Sequence, residues 1–202
     1  MKLYYYPGAC SLAPHIIACE AGLPIELVKV DLKAKRTETG EDFLLINPNG
    51  YVPVLFLDDG NKLTEATAIV QYLANQAQDK KLVPVADTFE YYQLQQWLNF
   101  IATEIHKGGF APLFNPATPE AAKQMAIAAL TSRLETVVEQ LSNRAFLLGE
   151  HFTVADAYLF VTLGWGAYVD FDISRWPVLV DYVAKISARP AVQKAMKEEG
   201  LG

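Results

Sequence analysis

A cysteine at the start of a predicted helix is the residue of this chain best placed to do chemistry. Cys10 follows a β-rich run and a Pro7-Gly8 turn, and an apolar stretch typical of a helix comes directly after it. Unpaired backbone N–H groups and the positive end of the helix dipole favour the thiolate form of a cysteine in such a position. We therefore predict a reactive thiol here, rather than a small buried apolar side chain.

A proline at the entry to a predicted strand marks a second candidate contact. Val52-Pro53 follows a turn and precedes the strand, where a proline cannot donate to the ladder. One interpretation is an ordinary loop proline, which the rarity of the cis form favours. The other is a cis peptide that presents the backbone N–H and C=O of Val52 to an extended ligand.

The start of a later helix carries both signs of charge. In Thr64-Glu65-Ala66-Thr67, Thr64 can cap the helix and the N–H groups of Ala66 and Thr67 can bind an anion. Glu65 can pair with an ammonium group, so this corner suits the free end of an amino acid, which carries both groups on one carbon. A plain helix cap is the alternative.

Three polar side chains share one face of another predicted helix. Asn99, Thr103 and His106 are spaced by four and then three residues. Such a stripe fits the wall of a cleft, although an ordinary solvated face fits it equally well. His106 beside a thiolate could stabilise the charge or carry a proton. The following Gly108-Gly109 is expected to end or kink the helix.

Composition and charge exclude several classes of function. The 202 residues are 51% hydrophobic and 20% charged, as in a typical globular protein. A net charge of −6 argues against a broad nucleic-acid surface. We identify no signal peptide and no apolar run near the roughly 18 residues of a membrane span, so we expect no nucleic-acid or membrane partner. One small basic cluster suits a single anionic small molecule; it contains Lys29, Lys33, Lys35 and Arg36.

The cysteines and histidines indicate neither a disulfide nor a metal site. Nine helical residues at about 1.5 Å each would separate Cys10 from Cys19 by roughly 13 Å, beyond the roughly 7 Å limit for a disulfide. The histidines, His15, His106 and His151, are isolated and lack metal-ligand spacing. We therefore expect a reducing cytoplasm and no bound metal.

Two regions of different pattern must position these residues. The first 80 residues alternate in the order β-α-β-α-β-β-α, and the chain is helical from about residue 88. The predicted strands are Lys2–Tyr5, Glu26–Val30, Val54–Leu57 and Lys62-Leu63. The predicted helices are Ser11–Ala21, Glu41–Ile46, Glu65–Gln76, Phe89–Lys107, Ala122–Leu141, Thr153–Val169 and Trp176–Lys197. We predict an α/β domain at 1–80 and an all-α domain at 88–202, joined by a linker at 81–87.

A capping box begins one helix of the second region. Thr153 and Asp156 have the spacing of this motif, and an apolar run follows them. We predict a structural role, with a loss of about 1 kcal/mol or more when Asp156 is removed.

Six segments occur in the order and spacing of one family. They are KLYYYPGACSLAPHI, NPNGYVPVL, LTEATAIVQYLA, WLNFIATEIHKG, FTVADAYLF and ARPAVQKAM. On these segments the chain resembles the beta-class, bacterial glutathione S-transferases over essentially its whole length. The resemblance implies a thioredoxin-like N-terminal domain, an all-α C-terminal domain, a homodimer and glutathione as cosubstrate.

The resemblance also implies roles for individual residues. Cys10 matches the cysteine that contacts or disulfide-bonds the glutathione sulfur. Val52, with Pro53 cis, matches the backbone pair that reads the cysteinyl part, and Glu65 and Ala66 match the γ-glutamyl site. Lys35 matches the contact to the glycyl carboxylate. Asn99, Thr103 and His106 match the helical wall of the cleft, and Glu104 and Lys107 are further candidates from the same segment. The resemblance leaves open which of these residues act in their own subunit and which across the dimer.

Three details qualify this picture. Position 66 is often Ser in related enzymes, so Ala66 removes a hydroxyl but leaves the backbone N–H. Tyr5 matches a tyrosine that activates the thiol in other classes, whereas the beta class does not rely on it. Because no second cysteine lies three residues after Cys10, glutathione itself would have to resolve a mixed disulfide.

We therefore expect an enzyme that conjugates glutathione to small hydrophobic electrophiles, with Cys10 and His106 as catalytic residues. Thiol–disulfide exchange or peroxide reduction through Cys10 is expected as a side activity. The alternative is a non-catalytic protein that reuses the fold to carry ligands or bind partners. A dedicated peroxidase or dehalogenase differs only in its second substrate. Candidates for the electrophile pocket, which fit a core equally well, are Phe110, Phe114, Trp165 and Tyr168.

Overall fold

The computed structural model describes residues 1–201, whose contacts divide the chain into two compact units. The first unit contains Met1–Leu82 together with the chain from Arg189 onward, and the second is Val83–Ala188. This grouping differs from the predicted division at 1–80 and 88–202 in one main respect. The last helix packs with the first unit rather than with the helices that precede it.

In the part of the chain that the structure describes, the first unit contains one mixed sheet of five strands. They are β1 (Lys2–Tyr5), β2 (Glu26–Asp31), β3 (Arg36–Thr37), β4 (Val54–Phe56) and β5 (Lys62–Thr64). Their order across the sheet is β3-β2-β1-β4-β5, with β1 and β2 parallel and the other pairs antiparallel. Strand β3 was not predicted, because two residues are too few to produce an alternating pattern.

Nine α-helices lie within the described residues 1–201. They are α1 (Leu12–Ala21), α2 (Phe43–Ile46), α3 (Ala66–Asn75), α4 (Phe89–Phe100), α5 (Ala111–Phe114), α6 (Glu120–Leu141), α7 (Val154–Gly164), α8 (Pro177–Ser187) and α9 (Pro190–Glu198). Helix α1 provides the crossover that a parallel β1–β2 pair requires, and it packs on both α3 and α9. None of the helices in the described part of the chain combines the length and the apolar character needed to cross a bilayer.

The helix predicted over Phe89–Lys107 continues beyond residue 107 in the structure, and its winding changes along its length. Helix α4 continues into a π-helical segment, Ile101–Phe110, which runs on into α5. Of the two alternatives predicted for Gly108-Gly109, an end or a kink, the end is therefore wrong, because the chain stays helical through both glycines. A Cβ on Gly109 would lie 2.8 Å from a methyl carbon of Leu130 on α6, so this glycine permits close helix packing instead of ending the helix.

The predicted helix Trp176–Lys197 is two helices. Helix α8 ends at Ser187 and α9 begins at Pro190. Proline lacks an N–H and disfavours helical backbone in the residue before it. Arg189 accordingly has extended backbone angles, φ −70° and ψ 131°.

The capping box at the start of α7 is confirmed. The side chain of Asp156 is fully buried and accepts hydrogen bonds from the N–H and hydroxyl of Thr153 at 2.8 and 2.9 Å. It also accepts the N–H of Leu147 at 2.9 Å and the hydroxyl of Tyr182 at 2.8 Å. Asp156 therefore joins a loop, the start of α7 and helix α8 within the second unit.

Candidate functional site

Four predicted site residues lie at one end of the sheet in the first unit. The carboxyl ends of β1, β2 and β5 and the amino end of β4 meet there, because β4 is antiparallel to β1 and β5 while β2 is parallel to β1. The segments leaving these ends carry Cys10, Lys35, Val52 and Glu65. Residues separated by up to 55 positions in sequence are thereby brought to one edge.

Cys10 lies in the loop immediately before α1, and Ser11 occupies the N-cap position. The buried Ser11 hydroxyl does not cap the helix. Its oxygen accepts the N–H of Tyr6 at 3.1 Å and donates to the Tyr6 carbonyl at 3.2 Å, which closes the loop. The N–H groups of Leu12 and Ala13 donate to loop carbonyls, so these two, at least, are not the unpaired donors that the sequence predicts beside the thiol.

The thiol of Cys10 faces the backbone of the neighbouring segment. Its Sγ donates to the carbonyl oxygen of Val52 at 3.4 Å. The Val52–Pro53 peptide is cis, which confirms the backbone geometry of the second interpretation, while the contact with an extended ligand stays a prediction. One backbone group of Val52 thus contacts the sulfur directly.

Glu65 begins α3 with an unusual backbone conformation. Its φ is 66°. Glu65, and not Thr64, occupies the N-cap position, and no side chain caps the helix there. The prediction that Thr64 caps the helix is therefore wrong. Such a φ in a residue with a side chain costs about 1–3 kcal/mol and is concentrated at functional sites. The N–H groups of Ala66 and Thr67 precede the first hydrogen bonds within the helix. The Glu65 carboxylate is exposed next to them.

Lys35 is positioned more firmly than the rest of the predicted basic cluster. It is half-buried, and its Nζ donates to the carbonyl of Gly50 at 2.9 Å and lies 5.8 Å from the centre of the Tyr51 ring. Gly50 has φ +65°, and a Cβ there would lie 3.1 Å from the ammonium nitrogen. The exposed members of the cluster are Lys29, Lys33 and Arg36.

A buried ionic group that sequence analysis missed supports the Cys10 loop from α9. The N–H of Gly8 donates to Oε2 of Glu199 at 2.9 Å, and Oε1 of Glu199 lies 3.0 Å from Nδ1 of His15. The His15 Nε2 lies 2.8 Å from Oε2 of Glu198. Burial alone would lower the pKa of His15. Hydrogen bonds to Cys19, Glu199 and Glu198 outweigh this effect and raise the pKa to about 10. His15 was predicted to be isolated; the local signal that could have found this group is its four-residue spacing from Cys19.

His106, in the second unit, is held as a neutral imidazole. Its Nδ1 lies 2.7 Å from the hydroxyl of Tyr158, and its ring packs edge-on against Trp165 with centroids 4.7 Å apart. Burial, and secondarily the charge of Lys107, lower the pKa of His106 to about 4. A neutral ring can accept or donate a hydrogen bond but cannot stabilise a thiolate by its charge.

The π-helical winding separates His106 from the polar stripe predicted for it. Asn99 and Thr103 are exposed, and the Thr103 hydroxyl donates to the Asn99 carbonyl at 3.0 Å. Glu104 forms an ion pair with Arg133 on α6, with a distance of 2.9 Å from Oε2 to Nε. His106 instead packs inward against α7. The exposed Lys107 lines a surface cavity of about 660 Å³ within the second unit.

Two of the four residues predicted for an electrophile pocket, Phe110 and Phe114, each pack against a third, Trp165. The rings of Phe110 and Phe114 each lie with centroids 5.9 Å from that of Trp165. Phe110 is fully buried, so it is a core residue, while Phe114 is 46% exposed. Tyr168 is 68% exposed. The structure thus leaves Phe114 as the accessible aromatic edge of this cluster.

Two family models match the chain, one in its α/β region and one in its helical region. Residues 1–75 match the family described as glutathione S-transferase, N-terminal domain, and residues 101–190 match the glutathione S-transferase, C-terminal domain. Glutathione S-transferase GstA of Escherichia coli O157:H7 is 46% identical over 201 residues, which covers 100% of each chain.

Solved structures agree over the full length. The chain matches BphK, a bacterial transferase in a ternary complex, with a TM-score of 0.98 and 55% identity, covering 100% of each chain. A sphingomonad glutathione S-transferase complexed with glutathione matches with a TM-score of 0.95 and 48% identity, also over 100% of each chain. The beta-class glutathione S-transferase of Sphingomonas chungbukensis matches with a TM-score of 0.96 and 46% identity, again over 100% of each chain. The predicted fold, thioredoxin-like and then all-helical, is confirmed, and the chain belongs to the beta class of the bacterial glutathione S-transferases.

Proposed function

We propose that this protein is a transferase that conjugates reduced glutathione to small hydrophobic electrophiles. One observation carries the proposal: four kinds of group meet at one end of the sheet. They are the thiol of Cys10, the backbone of Val52, the ammonium of Lys35 and the carboxylate of Glu65. These groups complement a tripeptide with a thiol, a peptide backbone, a carboxylate at one end and an amino acid at the other. A relative 48% identical was solved with glutathione, which supports this ligand.

The proposed ligand spans the site in an extended conformation. Its γ-glutamyl carboxylate accepts the N–H groups at the start of α3, Ala66 and Thr67, and its ammonium pairs with Glu65. Its cysteinyl backbone pairs with Val52, as in strand addition, and takes the carbonyl that the Cys10 thiol now occupies. Its glycyl carboxylate pairs with Lys35. Asn99, Thr103 and Glu104 are proposed to add contacts from their own or a neighbouring subunit.

Conjugation then requires little covalent chemistry from the protein. The glutathione thiolate attacks the electrophilic carbon, a C–S bond forms, and the leaving group departs with its electron pair. Fixed dipoles and proximity favour the thiolate and align it. If the Tyr158 hydroxyl donates to Nδ1, His106 keeps its proton on Nε2, and this N–H can donate to a sulfur anion. His106 therefore acts as a neutral donor in this mechanism.

Cys10 adds a thiol–disulfide exchange in two balanced steps. Its thiolate attacks the glutathione sulfur of a mixed disulfide, which forms a Cys10–glutathione disulfide and releases the other thiol. A second glutathione thiolate then attacks that bond, releases oxidised glutathione and restores Cys10. We expect Cys10→Ala to abolish exchange while conjugation partly survives. Unchanged exchange rates in this variant would remove Cys10 from the mechanism.

Calorimetric titration with reduced glutathione tests the proposed site. We expect saturable binding that weakens tenfold or more in Glu65→Ala, because a hydrogen bond to a charged group contributes about 1.5–3 kcal/mol. Glu135→Ala, at an exposed position on α6, is the matched control and should bind like the parent. If the parent does not bind glutathione, the scaffold alternative replaces the enzyme.

Three finer properties belong to the same proposal. We infer a homodimer, a cytoplasmic location and a role in detoxification, each from family membership. Light scattering of the purified protein tests the first, and fractionation of the source cells tests the second. Growth of a strain lacking the protein in the presence of electrophiles tests the third. The non-catalytic alternative is not favoured, because the cysteine and the acidic corner are both present.

A further inference from the structure

The packing of α1 against α9 brings together three side chains that the proposed reaction does not use. His15 and Cys19 lie four residues apart on one face of α1, and Glu198 ends α9. One potential ligand atom from each lies within 4.8 Å of the other two. We propose that His15, Cys19 and Glu198 bind a divalent transition-metal ion of the zinc type.

The second carboxylate at this histidine supports the proposal independently. Nε2 of His15 faces Oε2 of Glu198 at 2.8 Å, while Nδ1 faces Oε1 of Glu199 at 3.0 Å. The side chains of His15 and Glu199 are both fully buried. A metal-binding histidine characteristically donates its other ring N–H to a carboxylate, which fixes the ring and its tautomer. Glu199 would hold His15 in this way, leaving Nε2 for the ion.

The ligand set indicates the class of ion. One imidazole nitrogen, one thiolate sulfur and one carboxylate oxygen form a borderline-soft set that suits Zn²⁺ or Co²⁺ rather than Mg²⁺ or Ca²⁺. The ion takes the place of the proton between His15 and Glu198, and the Cys19 thiol releases a second proton to solvent. Three protein ligands leave a fourth tetrahedral position for water. Cys19 is half-buried and Glu198 is exposed, so an ion can reach the site.

Titration of the purified, tag-free, metal-depleted protein with Co²⁺ tests the site. The experiment uses Cys10→Ala, in which Cys19 is the only remaining thiol, since the chain has two cysteines. We expect one Co²⁺ per chain, a thiolate-to-cobalt charge-transfer band, and displacement of Co²⁺ by Zn²⁺. Adding Cys19→Ser should abolish the band. Zn²⁺ should also raise the melting temperature of the Cys10→Ala protein but not that of the double variant.

A second pair of variants separates a built site from a chance contact. Glu198→Gln in the same background should weaken Co²⁺ binding tenfold or more, whereas Glu135→Gln on α6 should leave it unchanged. Both substitutions are at exposed positions and keep the size of the side chain. Absence of the band, or equal affinity in Glu198→Gln and its parent, overturns the proposal. Because Cys10 is absent and no glutathione is used, the outcome is independent of the transferase proposal.

Discussion

Replacing Asp156 with Ala should destabilise the second unit far more than the loss of an ordinary helix cap. Asp156 accepts four hydrogen bonds from buried groups, two from backbone N–H groups and two from the hydroxyls of Thr153 and Tyr182. The hydroxyls can rotate toward other acceptors after the substitution. The N–H groups of Leu147 and Thr153 cannot, so they stay buried without a partner.

The magnitude follows from these two N–H groups. Each buried donor left without an acceptor costs about 1–3 kcal/mol, and breaking a buried charged network typically costs about 3–5 kcal/mol in total. Burial raises the pKa of Asp156, so removing the carboxyl recovers part of its desolvation cost. We therefore expect a loss of about 4 kcal/mol, which lowers the melting temperature by roughly 12 °C in a chain of this length.

Tryptophan fluorescence during urea unfolding is the assay, because Trp97, Trp165 and Trp176 all lie in the second unit. Asp156→Asn keeps one acceptor oxygen, so its free energy of unfolding should lie between those of the parent and of Asp156→Ala. A loss of about 1 kcal/mol or less in Asp156→Ala would equal that of a simple cap. That result would refute the reasoning from buried donors.

Three further predictions concern strain, protonation and close packing. Glu65→Gly should melt about 2–3 °C above Glu65→Ala, because glycine adopts φ 66° without strain worth about 1 kcal/mol net; equal melting temperatures would show no strain there. The folded pKa of His106 is about 4, below the unfolded value of about 6.5. The contribution of His106 to stability should therefore fall by roughly 3 kcal/mol as pH falls from 7 to 4; urea midpoints of His106→Asn should depend less steeply on pH, and an unchanged slope would contradict this. Gly166→Ala places a Cβ 2.5 Å from the carbonyl oxygen of Phe171, so its free energy of unfolding in urea should fall by about 1–3 kcal/mol; an unchanged free energy of unfolding would contradict it.

The sequence predicts the elements whose signals are local. Strand β1, helix α1 and helix α6 follow from alternation, a turn and apolar spacing, and in α6 Leu130, Leu134 and Val137 are buried as the spacing predicts. Cys10 and Glu65 could be found because each sits at a boundary between elements, where backbone groups lack partners in the helix or strand.

What could not be predicted depends on contacts between distant parts of the chain. The close approach of Gly109, in the π-helical segment, to Leu130 on α6 joins two separate helices, and local propensity does not encode it. The neutral state of His106 depends on burial against Tyr158 and Trp165. The pairing of His15 with Glu199 joins residues 184 positions apart, so no window of sequence contains it.

The placement of α9 in the first unit has a consequence for synthesis on the ribosome. The sheet and α1 emerge early, but the helix that covers α1 emerges some 170 residues later, a delay on the order of ten seconds at 5–20 residues per second. The second unit is continuous in the chain and can be completed first. The order of folding would then reverse the order of translation, and nascent α1 would need shielding until the last helix is released.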